Sequence, residues 1–350
     1  MEVLKVNFRN LHAKNHLFNN NMPVVDLLAE NQTLFGERHL IKQYPNWFGD
    51  FYTRIAVGAV KKIYDPANFL ISKLVSIQPM KGPVGIVKFL RFKYGAVENS
   101  GDLPQVNLIV EQEDVSAVSR HMKLEFPLAK ITPDGTTNLK HYQDGYFLTK
   151  DFSDKYPDTK ENMEEEMISY IAEKANNEFA KEVLTDLIKN VGTIAAEKEW
   201  NNYEDFYVSL VKTSGVIHRK TLRGGSNWVV MSPKMMEEIK EDYKYSDLKD
   251  RDNDMELFYH GTMNGRWKMY SSKTVIHDNV VLTGYKGEST QDSGYFYNPY
   301  ISLSPLEKAP LEEEIRYGTL SRYSKKLIRE GSKYYARINF GGENGQSEAN

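Results

Sequence analysis

The residues best suited to chemistry lie around a pair of glycines in the second half of the chain. Arg219, Lys220 and Arg223 precede Gly224 and Gly225, and basic side chains beside glycines are typical of loops that bind anions. The spacing matches neither a P-loop nor a dinucleotide-binding fingerprint. A turn between two secondary-structure elements is therefore the favoured interpretation.

Three aspartates further along imitate the first ligands of a calcium-binding loop. Asp250, Asp252 and Asp254 have the alternation that such a loop requires. However, Met255 stands where the loop needs glycine, and Gly261 stands where it needs glutamate. Because short motifs of this kind often match by chance, a solvated loop is favoured over a metal site.

Histidine chemistry has equally little support in the sequence. His260, His277 and Asp278 could be combined into a site, but nothing in the sequence places them together. Neither a His-Glu-x-x-His signature nor a Gly-x-Ser-x-Gly elbow occurs. We therefore expect no catalytic residues, no cofactor and no bound metal, and we do not expect an enzyme.

Composition narrows the remaining classes of protein. The chain has no cysteine, which excludes disulfides, thiolate metal sites and cysteine nucleophiles. Its formal net charge of −3 argues against a dedicated nucleic-acid binder, which needs a basic excess. Neither a membrane-spanning apolar segment nor a signal-peptide pattern is visible, so we expect a soluble protein. Its 22 tyrosines favour extended protein–protein contact surfaces.

The element that organises the chain is a long helix predicted over residues 158–200. Its apolar residues recur at nearly four-residue spacing: Met163, Met167, Ile171, Phe179, Val183, Leu187 and Val191. Glutamates fill its first turns, where the positive end of the helix dipole favours them. Gly192 could kink this helix or end it early. We interpret the helix as a spine against which sheets and loops pack.

A long hairpin is predicted ahead of the spine. Residues 78–85, Gln-Pro-Met-Lys-Gly-Pro-Val-Gly, form a turn-rich octet. Strand-like runs follow at residues 86–94, 105–113 and 115–126. They predict a two-stranded hairpin or flap, which is marginal alone and is expected to lean on a partner.

The remaining segments divide around these two elements. Residues 1–45 are polar and rich in asparagine, and such an arm either stays mobile or lies on a neighbour. Residues 46–64 have one apolar face and predict a helix. Beyond the spine we expect a compact unit that begins near residue 206. Its predicted elements are a buried strand at 227–231, a helix at 234–241 and strands at 265–270, 275–285 and 295–303.

Several of these stretches, taken in order, resemble the major capsid proteins of T-even-type tailed phages. The turn at residues 78–85 is similar to the one that opens the flap in that family. Residues 220–233, Lys-Thr-Leu-Arg-Gly-Gly-Ser-Asn-Trp-Val-Val-Met-Ser-Pro, resemble its glycine-containing turn, buried strand and helix start. The most similar blocks are Gly-Tyr-Lys-Gly at 284–287, Asp-Ser-Gly-Tyr-Phe-Tyr-Asn-Pro-Tyr at 292–300, Leu-Ser-Pro-Leu at 303–306 and Arg-Tyr-Gly at 316–318.

The resemblance implies an α+β chain with the HK97-like capsid fold. The parts that it implies are an N-terminal arm, an extended β-hairpin loop, a peripheral domain with a long spine helix, and an axial domain. The expected boundaries are an arm at 1–45, a helix and turn at 46–85, the extended loop at 86–126, the peripheral domain at 127–200, the axial domain at 201–285, returning strands at 286–340 and a disordered tail at 341–350.

The matching blocks also supply candidate assembly positions. Gly82, Pro83 and Gly85 would set the angle of the flap. The other assembly or hinge positions are Gly224, Gly225, Tyr285, Gly287, Tyr297 and Pro299. Family members are often trimmed after a short Leu-x-Glu motif, which Leu28-Ala29-Glu30 matches, so Glu30 is a candidate cleavage point for a prohead protease.

The implied function is that of a structural virion protein without cofactors. Copies of the chain would associate head to tail into hexamers and pentamers of an icosahedral head that encloses double-stranded DNA. The implied partners are other copies of the chain and scaffold, portal, vertex or decoration proteins, with neither a membrane nor sequence-specific DNA binding. Assembly is expected in the cytoplasm of a bacterial host.

Three alternatives stay open at this point. The related vertex protein forms pentamers only and would differ in its copy number in the virion. A soluble enzyme with an unmarked active site predicts a small stable oligomer and one activity that a point substitution abolishes. A DNA-binding scaffold component needs a basic face, which a gel-shift series across salt concentrations would reveal.

Overall fold

The computed structural model of the chain describes residues 22–36, 46–94, 106–129, 163–195, 203–243, 248–250, 253–305 and 314–340. Its α-helices are α1 (Met22–Phe35), α2 (Asn46–Ile63), α3 (Met163–Asn190), α4 (Tyr203–Thr221) and α5 (Pro233–Tyr243). Short 3₁₀ turns lie at Leu70–Lys73 and Gly331–Tyr334. None of the helices in these ranges is long and apolar enough to cross a membrane.

The strands form three sheets, and the mixture of helices and sheets confirms the α+β class. The strands are β1 (Ser76–Ile77), β2 (Val84–Tyr94), β3 (Val106–Ser116), β4 (Val118–Ala129), β5 (Thr193–Ala195), β6 (Trp228–Met231), β7 (Leu257–Met263), β8 (Trp267–Ser272), β9 (Val280–Gly284), β10 (Tyr295–Pro305), β11 (Glu314–Leu327) and β12 (Tyr335–Asn339). One sheet has the order β1-β10-β11-β4, the second has the order β5-β12-β9-β6-β8-β7, and β2 pairs with β3 alone.

The predicted spine is helix α3, which is shorter than the sequence pattern predicted. Its 28 residues span about 42 Å at 1.5 Å per residue. The helix ends at Asn190 instead of Trp200, because the chain beyond Gly192 turns into β5 and pairs in parallel with β12. The amide of Arg337 donates to the Gly192 carbonyl at 3.0 Å, so the end of the helix is tied to the sheet.

The apolar face of α3 packs into the largest core of the chain. This core also holds residues of α2, such as Val60 and Ile63, and residues of both larger sheets, such as Trp228 and Tyr297. A second core lies between α4, α5 and the other face of the six-stranded sheet. Because the first core includes both sheets, apolar packing joins the part around α3 to the part around α4.

Charged groups hold α3 on the four-stranded sheet beside this apolar packing. The Lys325 ammonium on β11 lies 2.7 Å from carboxylate oxygens of both Glu182 and Asp186. The Tyr295 hydroxyl on β10 donates to Asp186 at 2.8 Å. Arg120 on β4 also pairs with Glu182. The helix is therefore bonded to three neighbouring strands, which fixes its position along the sheet.

The predicted hairpin is the β2–β3 ribbon, with a register that runs from Val84 opposite Ser116 to Tyr94 opposite Val106. Of the third predicted run, only Val115 and Ser116 belong to it. After Ala117 the chain enters β4, which pairs antiparallel with β11, nearly two hundred residues away in sequence. Periodicity shows that a segment is extended but gives no information about its partner. The prediction that the run at 115–126 belongs to the hairpin is therefore wrong beyond Ser116.

The predicted arm is partly folded onto its own subunit. Leu28 on α1 is fully buried in the main core, and the Asn31 side chain donates to the carbonyls of Met80 and Tyr300 at 2.9 and 3.1 Å. The Gln32 side chain bonds to the backbone of Leu303 on β10. The expectation that the arm stays mobile or lies on a neighbour is therefore wrong for residues 22–36. Residues 1–21, 37–45 and 130–162 and the tail at 341–350 lie outside the described residues.

The compact unit after the spine follows the predictions with shifted boundaries. Strand β6 and helix α5 confirm the predicted elements of this unit within a few residues, as helix α2 does ahead of the spine. Strand β9 begins only at Val280, because Asn279 takes a left-handed conformation with φ 65° and turns the chain. Strand β7 was not predicted.

Candidate functional site

The turn at the base of the ribbon is tied to β10 and to the ribbon itself. The amide of Met80 donates to the carbonyl of Pro299 at 2.8 Å, and the amide of Ala117 donates to the carbonyl of Pro83 at 2.7 Å. The side-chain amide of Gln78 bonds to both backbone groups of Lys88, at 2.7 and 3.0 Å. These bonds fix the direction in which the ribbon leaves the body of the subunit.

The three predicted flap positions differ in how tightly they are surrounded. A Cβ atom on Gly85 would lie 3.2 Å from Cγ of Met80, so the backbone and this side chain approach closely there. At Gly82 the nearest group is the carbonyl oxygen of Val84 at 3.8 Å, which leaves room for a side chain. Pro83 is exposed between them. Of the two glycines, only Gly85 is closely approached by a neighbouring side chain.

The inner face of the ribbon base is apolar and packs on the body. Val87, Phe89 and Val115 form a small core with Phe296 of β10 and with Ile328. The rings of Phe89 and Phe296 have their centroids 6.3 Å apart. A two-stranded ribbon is marginal by itself, and this contact supplies the packing that it needs.

An acidic residue adds a polar contact at the same place. The Glu113 carboxylate on β3 lies 3.0 Å from the ammonium of Lys326 on β11, and it accepts a hydrogen bond from the Arg329 amide at 3.0 Å. Burial raises the pKa of Glu113, but the hydrogen bonds from Arg329 and Lys326 outweigh this effect, so the pKa lies below its usual value. The ionised carboxylate therefore holds the ribbon base against the body.

The outer face of the ribbon has apolar side chains without a covering layer in the described part of the subunit. Val84 is 71% exposed, and Ile86 and Val110 are 45% and 55% exposed. Leu90 lies opposite Val110 in the β2–β3 register, and the exposed pair of Lys88 and Gln112 separates these two apolar residues from Ile86. An exposed strip of this kind is typical of a surface that contacts another molecule.

Four of the predicted positions, Gly224, Gly225, Tyr285 and Gly287, meet in one place, which we call the loop junction: residues 223–225, 285–287 and Asp292. The Arg223 guanidinium binds the Asp292 carboxylate through two nitrogens, at 2.8 and 3.0 Å, and both side chains are about nine-tenths buried. The Tyr285 hydroxyl donates to the same carboxylate at 3.2 Å. Burial, and then the charge of Asp292, raise the pKa of Tyr285 above its usual range. The ring hydroxyl therefore stays neutral and acts as a donor.

Glycine is required in this junction because side chains occupy the space where Cβ atoms would lie. A Cβ on Gly224 would approach the Tyr285 ring to 2.5 Å, and one on Gly287 would approach the Asp292 carboxylate to 2.0 Å. At Gly225, the Ser214 hydroxyl and the Arg266 guanidinium would be only 2.3 and 2.4 Å away. The predicted turn between two elements is confirmed, since Gly224 and Gly225 lie between the end of α4 and the start of β6.

Tyr297 and Pro299 lie on β10 inside the subunit. The Tyr297 ring is buried against the rings of Phe179 on α3 and Tyr323 on β11, at centroid distances of 5.3 and 4.8 Å. Pro299 precedes a shift in the register between β10 and β11. These two positions contribute to the core and to the shape of the sheet, and they place β10 beside the ribbon base.

Glu30 lies on the exposed side of α1. Its neighbours Leu28 and Ala29 are buried, and Asn31 is hydrogen-bonded to Met80. A protease that cuts after Glu30 therefore needs this helix to unfold locally, because proteases bind their substrates in an extended conformation.

Helix α4 exposes a second apolar strip, which we call the α4 face. Val208 and Val211 are 47% and 40% exposed, and Leu222, just past the helix end, is 43% exposed. Gly215 follows Val211 by one turn, and no atom lies within 4 Å of the position of a Cβ there. Glycine in the middle of a helix is unfavourable, and an open position gives it no role within the subunit.

The other chemical candidates are occupied by ordinary structural bonds. The His260 ring bonds to the Lys249 carbonyl and to the Ser271 hydroxyl, at 2.7 and 2.8 Å. Asp250 forms a salt bridge with Lys240, and Asp254 forms one with Lys273. Within the described ranges, no group of three histidine or carboxylate side chains is placed to hold a metal ion.

Asp278 likewise has a structural partner, because the Ser232 hydroxyl ahead of α5 donates to its carboxylate at 2.5 Å. The features that remain are surfaces and fixed loop geometry: a projecting ribbon, an exposed helix face and a rigid junction. These features are suited to contacts with other molecules.

The comparisons with known proteins identify the family. The family described as Major capsid protein Gp23 matches residues 96–327, which is more than half of the chain. The chain therefore belongs to this family of phage capsid proteins, which is structural and not enzymatic. The resemblance to T-even-type major capsid proteins that the sequence blocks indicated is confirmed.

One curated relative is the major capsid protein of Vibrio phage KVP40. It is 25% identical over 112 residues, which cover 30% of this chain and 22% of that protein. The alignment therefore spans less than a quarter of the length of the relative.

Solved structures with a similar chain course include a virus-like particle from Pyrococcus furiosus, with TM-score 0.45 and 9% identity over 82% of this chain and 98% of that one. The capsid of Myoviridae phage XM1 has TM-score 0.40 and 9% identity, over 77% of this chain and 90% of that one. The capsid of a native GTA particle has TM-score 0.44 and 10% identity, over 78% of this chain and 90% of that one. The family assignment rests on the sequence match alone.

Proposed function

We propose that this chain is the major capsid subunit of a tailed phage and has the HK97-like fold. In this proposal, copies associate head to tail into hexamers and pentamers that close into an icosahedral head around double-stranded DNA. Family membership over residues 96–327 is the observation that carries the proposal. Scaffold, portal, vertex and decoration proteins are the proposed partners, and the cytoplasm of a bacterial host is the proposed place of assembly.

The outer face of the ribbon supports a role in contacts between subunits. The ribbon leaves the body from a fixed base, and its outer face exposes Val84, Ile86 and Val110. Burying apolar surface is the main favourable term in protein association, and a second copy of the chain supplies large complementary surfaces in a closed shell. A neighbouring copy that packs on the outer face of the ribbon would bury the apolar side chains that a single subunit leaves exposed.

The α4 face supports a second contact, nearer the centre of a ring. Val208, Val211 and Leu222 offer apolar surface, and Gly215 lets another backbone come close. The cost of a helical glycine is justified if a neighbouring copy packs against it. The predicted axial domain, residues 201–285, includes this face.

The test is a pair of substitutions at one exposed position of the ribbon. Val110→Glu places a carboxylate in the proposed contact, and an unpaired charge buried at an interface costs several kcal/mol, or roughly a hundredfold or more in association. Val110→Ile keeps the position apolar and is the matched control. Sedimentation velocity of the full chain over a concentration series measures the assembled fraction.

We expect Val110→Ile to assemble like the unmodified chain and Val110→Glu to remain in small species, with unchanged circular dichroism and melting temperature in both. If Val110→Glu assembles at the same concentration as the control, the ribbon face is not a subunit contact.

A further inference from the structure

A cavity of about 340 Å³ lies beside the loop junction, and Gly287 of the junction is among its lining residues. Its walls come from the end of α2, from the 3₁₀ turn that ends at Lys73, from β8 at Lys268 and from the loop after β9 at Lys286. Its volume is within the range of small-molecule sites. Three of the described lining residues are lysines, and one, Glu288, is an acid.

The three lysines have no salt-bridge partner among the described residues. Lys73, Lys268 and Lys286 form no salt bridge with any carboxylate in the described ranges. The carboxylate that lies near Lys286 is Asp292, and both its oxygens are already bonded to Arg223. Within the described ranges, the cavity therefore gathers three lysines against one lining carboxylate, that of Glu288.

The backbone around the cavity is fixed in place by one residue, Asn227. Its side-chain amide donates to the Lys286 carbonyl at 2.7 Å and accepts from the Lys286 amide at 3.1 Å. Its own carbonyl accepts a hydrogen bond from the Lys268 amide at 3.0 Å. Two of the three lysines are thus positioned by the same asparagine, which is the preorganisation that a binding site needs.

Lys286 is the most constrained of the three side chains. Its ammonium donates to the Gly287 carbonyl at 3.1 Å, and an ammonium has three donors, so two can serve a ligand. Burial lowers the pKa of Lys286 to about 8, and the charges of Lys268 and Lys73 act in the same direction, against the opposing effect of Asp292. A bound anion would relieve this unfavourable charge.

We propose that this cavity is a binding site for a phosphate-class oxyanion, held by the ammonium groups of Lys73, Lys268 and Lys286. Lysine is a compact point charge with rotatable donors, which suits the oxygens of a phosphate group. Two sources share this chemistry: free inorganic phosphate or pyrophosphate, and the phosphodiester backbone of DNA.

The first experiment is isothermal titration of the full chain at pH 7 with inorganic pyrophosphate. Lys286→Met removes one ammonium and keeps the length of the side chain, and we expect affinity to fall about tenfold or more. Lys189→Met, at an exposed position on α3 far along the sequence from the cavity, is the matched control and is expected to bind like the unmodified chain. Glu288→Gln removes the one lining acid and is expected to bind severalfold more tightly.

The second experiment distinguishes the two sources. A short double-stranded DNA is titrated into the same variants, with pyrophosphate as competitor. DNA binding that Lys286→Met weakens and pyrophosphate displaces identifies the DNA backbone as the source, whereas pyrophosphate binding without DNA binding identifies a free anion. The proposal is overturned if the unmodified chain binds neither, or if Lys286→Met and Lys189→Met bind equally well.

Discussion

At the scale of single residues, the loop junction shows how an apparently weak motif gains a structural role. The guanidinium of the basic residue ahead of the glycine pair is engaged inside the subunit. Instead, Arg223 holds Asp292, which lies 69 residues away in the sequence. A bidentate guanidinium–carboxylate pair fixes distance and orientation together. The adjacent glycines let the two loops approach closely enough for this pair to form.

We expect Gly287→Ala to destabilise the subunit by about 2 kcal/mol, because the added methyl group overlaps the Asp292 carboxylate and must displace it from Arg223. Gly82→Ala, at a glycine with open space, is the matched control and is expected to change stability by less than about 0.5 kcal/mol. Urea unfolding measures both. Equal effects of the two substitutions would show that the junction is not closely packed.

The lowered pKa of Lys286 makes stability depend on pH in a defined direction. In the folded chain the pKa is about 8, whereas its ordinary value is 10.5, so the unfolded chain holds this proton at pH values where the folded chain has lost it. The corresponding contribution to stability is complete above pH 10.5 and is lost as the pH falls through about 8. Charged groups near this ammonium are Asp292, Lys268 and Lys73.

We therefore expect Lys286→Met to raise the melting temperature at pH 7 in buffer without phosphate, because it removes an unpaired, largely buried cation. The difference between the variant and the unmodified chain should shrink between pH 8 and pH 10.5. A difference that does not vary with pH would mean that the ammonium is solvated in the folded chain.

At the scale of elements, the ribbon is held at its base by packing and by one carboxylate. The folded-state pKa of Glu113 is below the ordinary value of 4.5, so the stability that this group supplies is present above pH 4.5 and is lost as the pH falls through the lowered pKa. Acid is therefore expected to loosen the base of the ribbon before it unfolds the cores.

Hydrogen exchange at the Leu90 amide, which donates to the Gln291 carbonyl at 3.0 Å, reports on this loosening. We expect Glu113→Gln to speed this exchange roughly fivefold at neutral pH, the equivalent of about 1 kcal/mol for a partly exposed ion pair. Asp114→Asn, on the outward side of the same strand, is the control and should leave the exchange unchanged. Equal exchange in the two variants would contradict a role of Glu113 in holding the base.

The α4 face gives a prediction in which stability and assembly change in opposite directions. We expect Gly215→Ala to stabilise the isolated subunit by about 0.5–1 kcal/mol, since alanine is the better helix former and the position is open. The same methyl group should weaken assembly if a neighbouring copy packs there.

Gly192→Ala is the control for this substitution, since Gly192 is equally open and lies away from α4. Thermal unfolding and sedimentation velocity measure the two effects. If Gly215→Ala assembles at the same concentration as the unmodified chain, close packing on the α4 face is excluded.

The elements were predictable to the extent that local pattern determines them. Strand β6 is a short apolar run followed by Ser232-Pro233, a pair that starts a helix, and it lies where it was predicted. The end of α3 was not predictable, because what ends the helix is the pairing of β5 with β12, more than one hundred residues away. The partner of β4 was hidden for the same reason.

The candidate sites were predictable only in part. Arg223, Gly224 and Gly287 belong to blocks that the sequence analysis singled out. The lysine cavity gave no signal, because Lys73 and Lys268 lie in unrelated stretches and meet only through the fold. The apolar outer face of the ribbon was equally hidden, since alternation alone does not tell which face of a strand is covered.

At the scale of the whole molecule, the subunit combines a rigid body with projecting surfaces. The main core joins residues from both larger sheets through α3, and ion pairs fix that helix on the sheet. Rigid bodies with exposed strips on a ribbon and a helix are suited to head-to-tail association, in which one surface of a copy meets a different surface of the next.

The most direct test of the proposed function is electron microscopy of the purified full chain over a concentration series, alone and with the scaffold protein of its phage. We expect five- and six-membered rings that close into shells as the concentration rises, with the scaffold lowering the concentration required. Small particles of one size under all conditions, with and without scaffold, would contradict the assignment of this chain as a self-assembling capsid subunit.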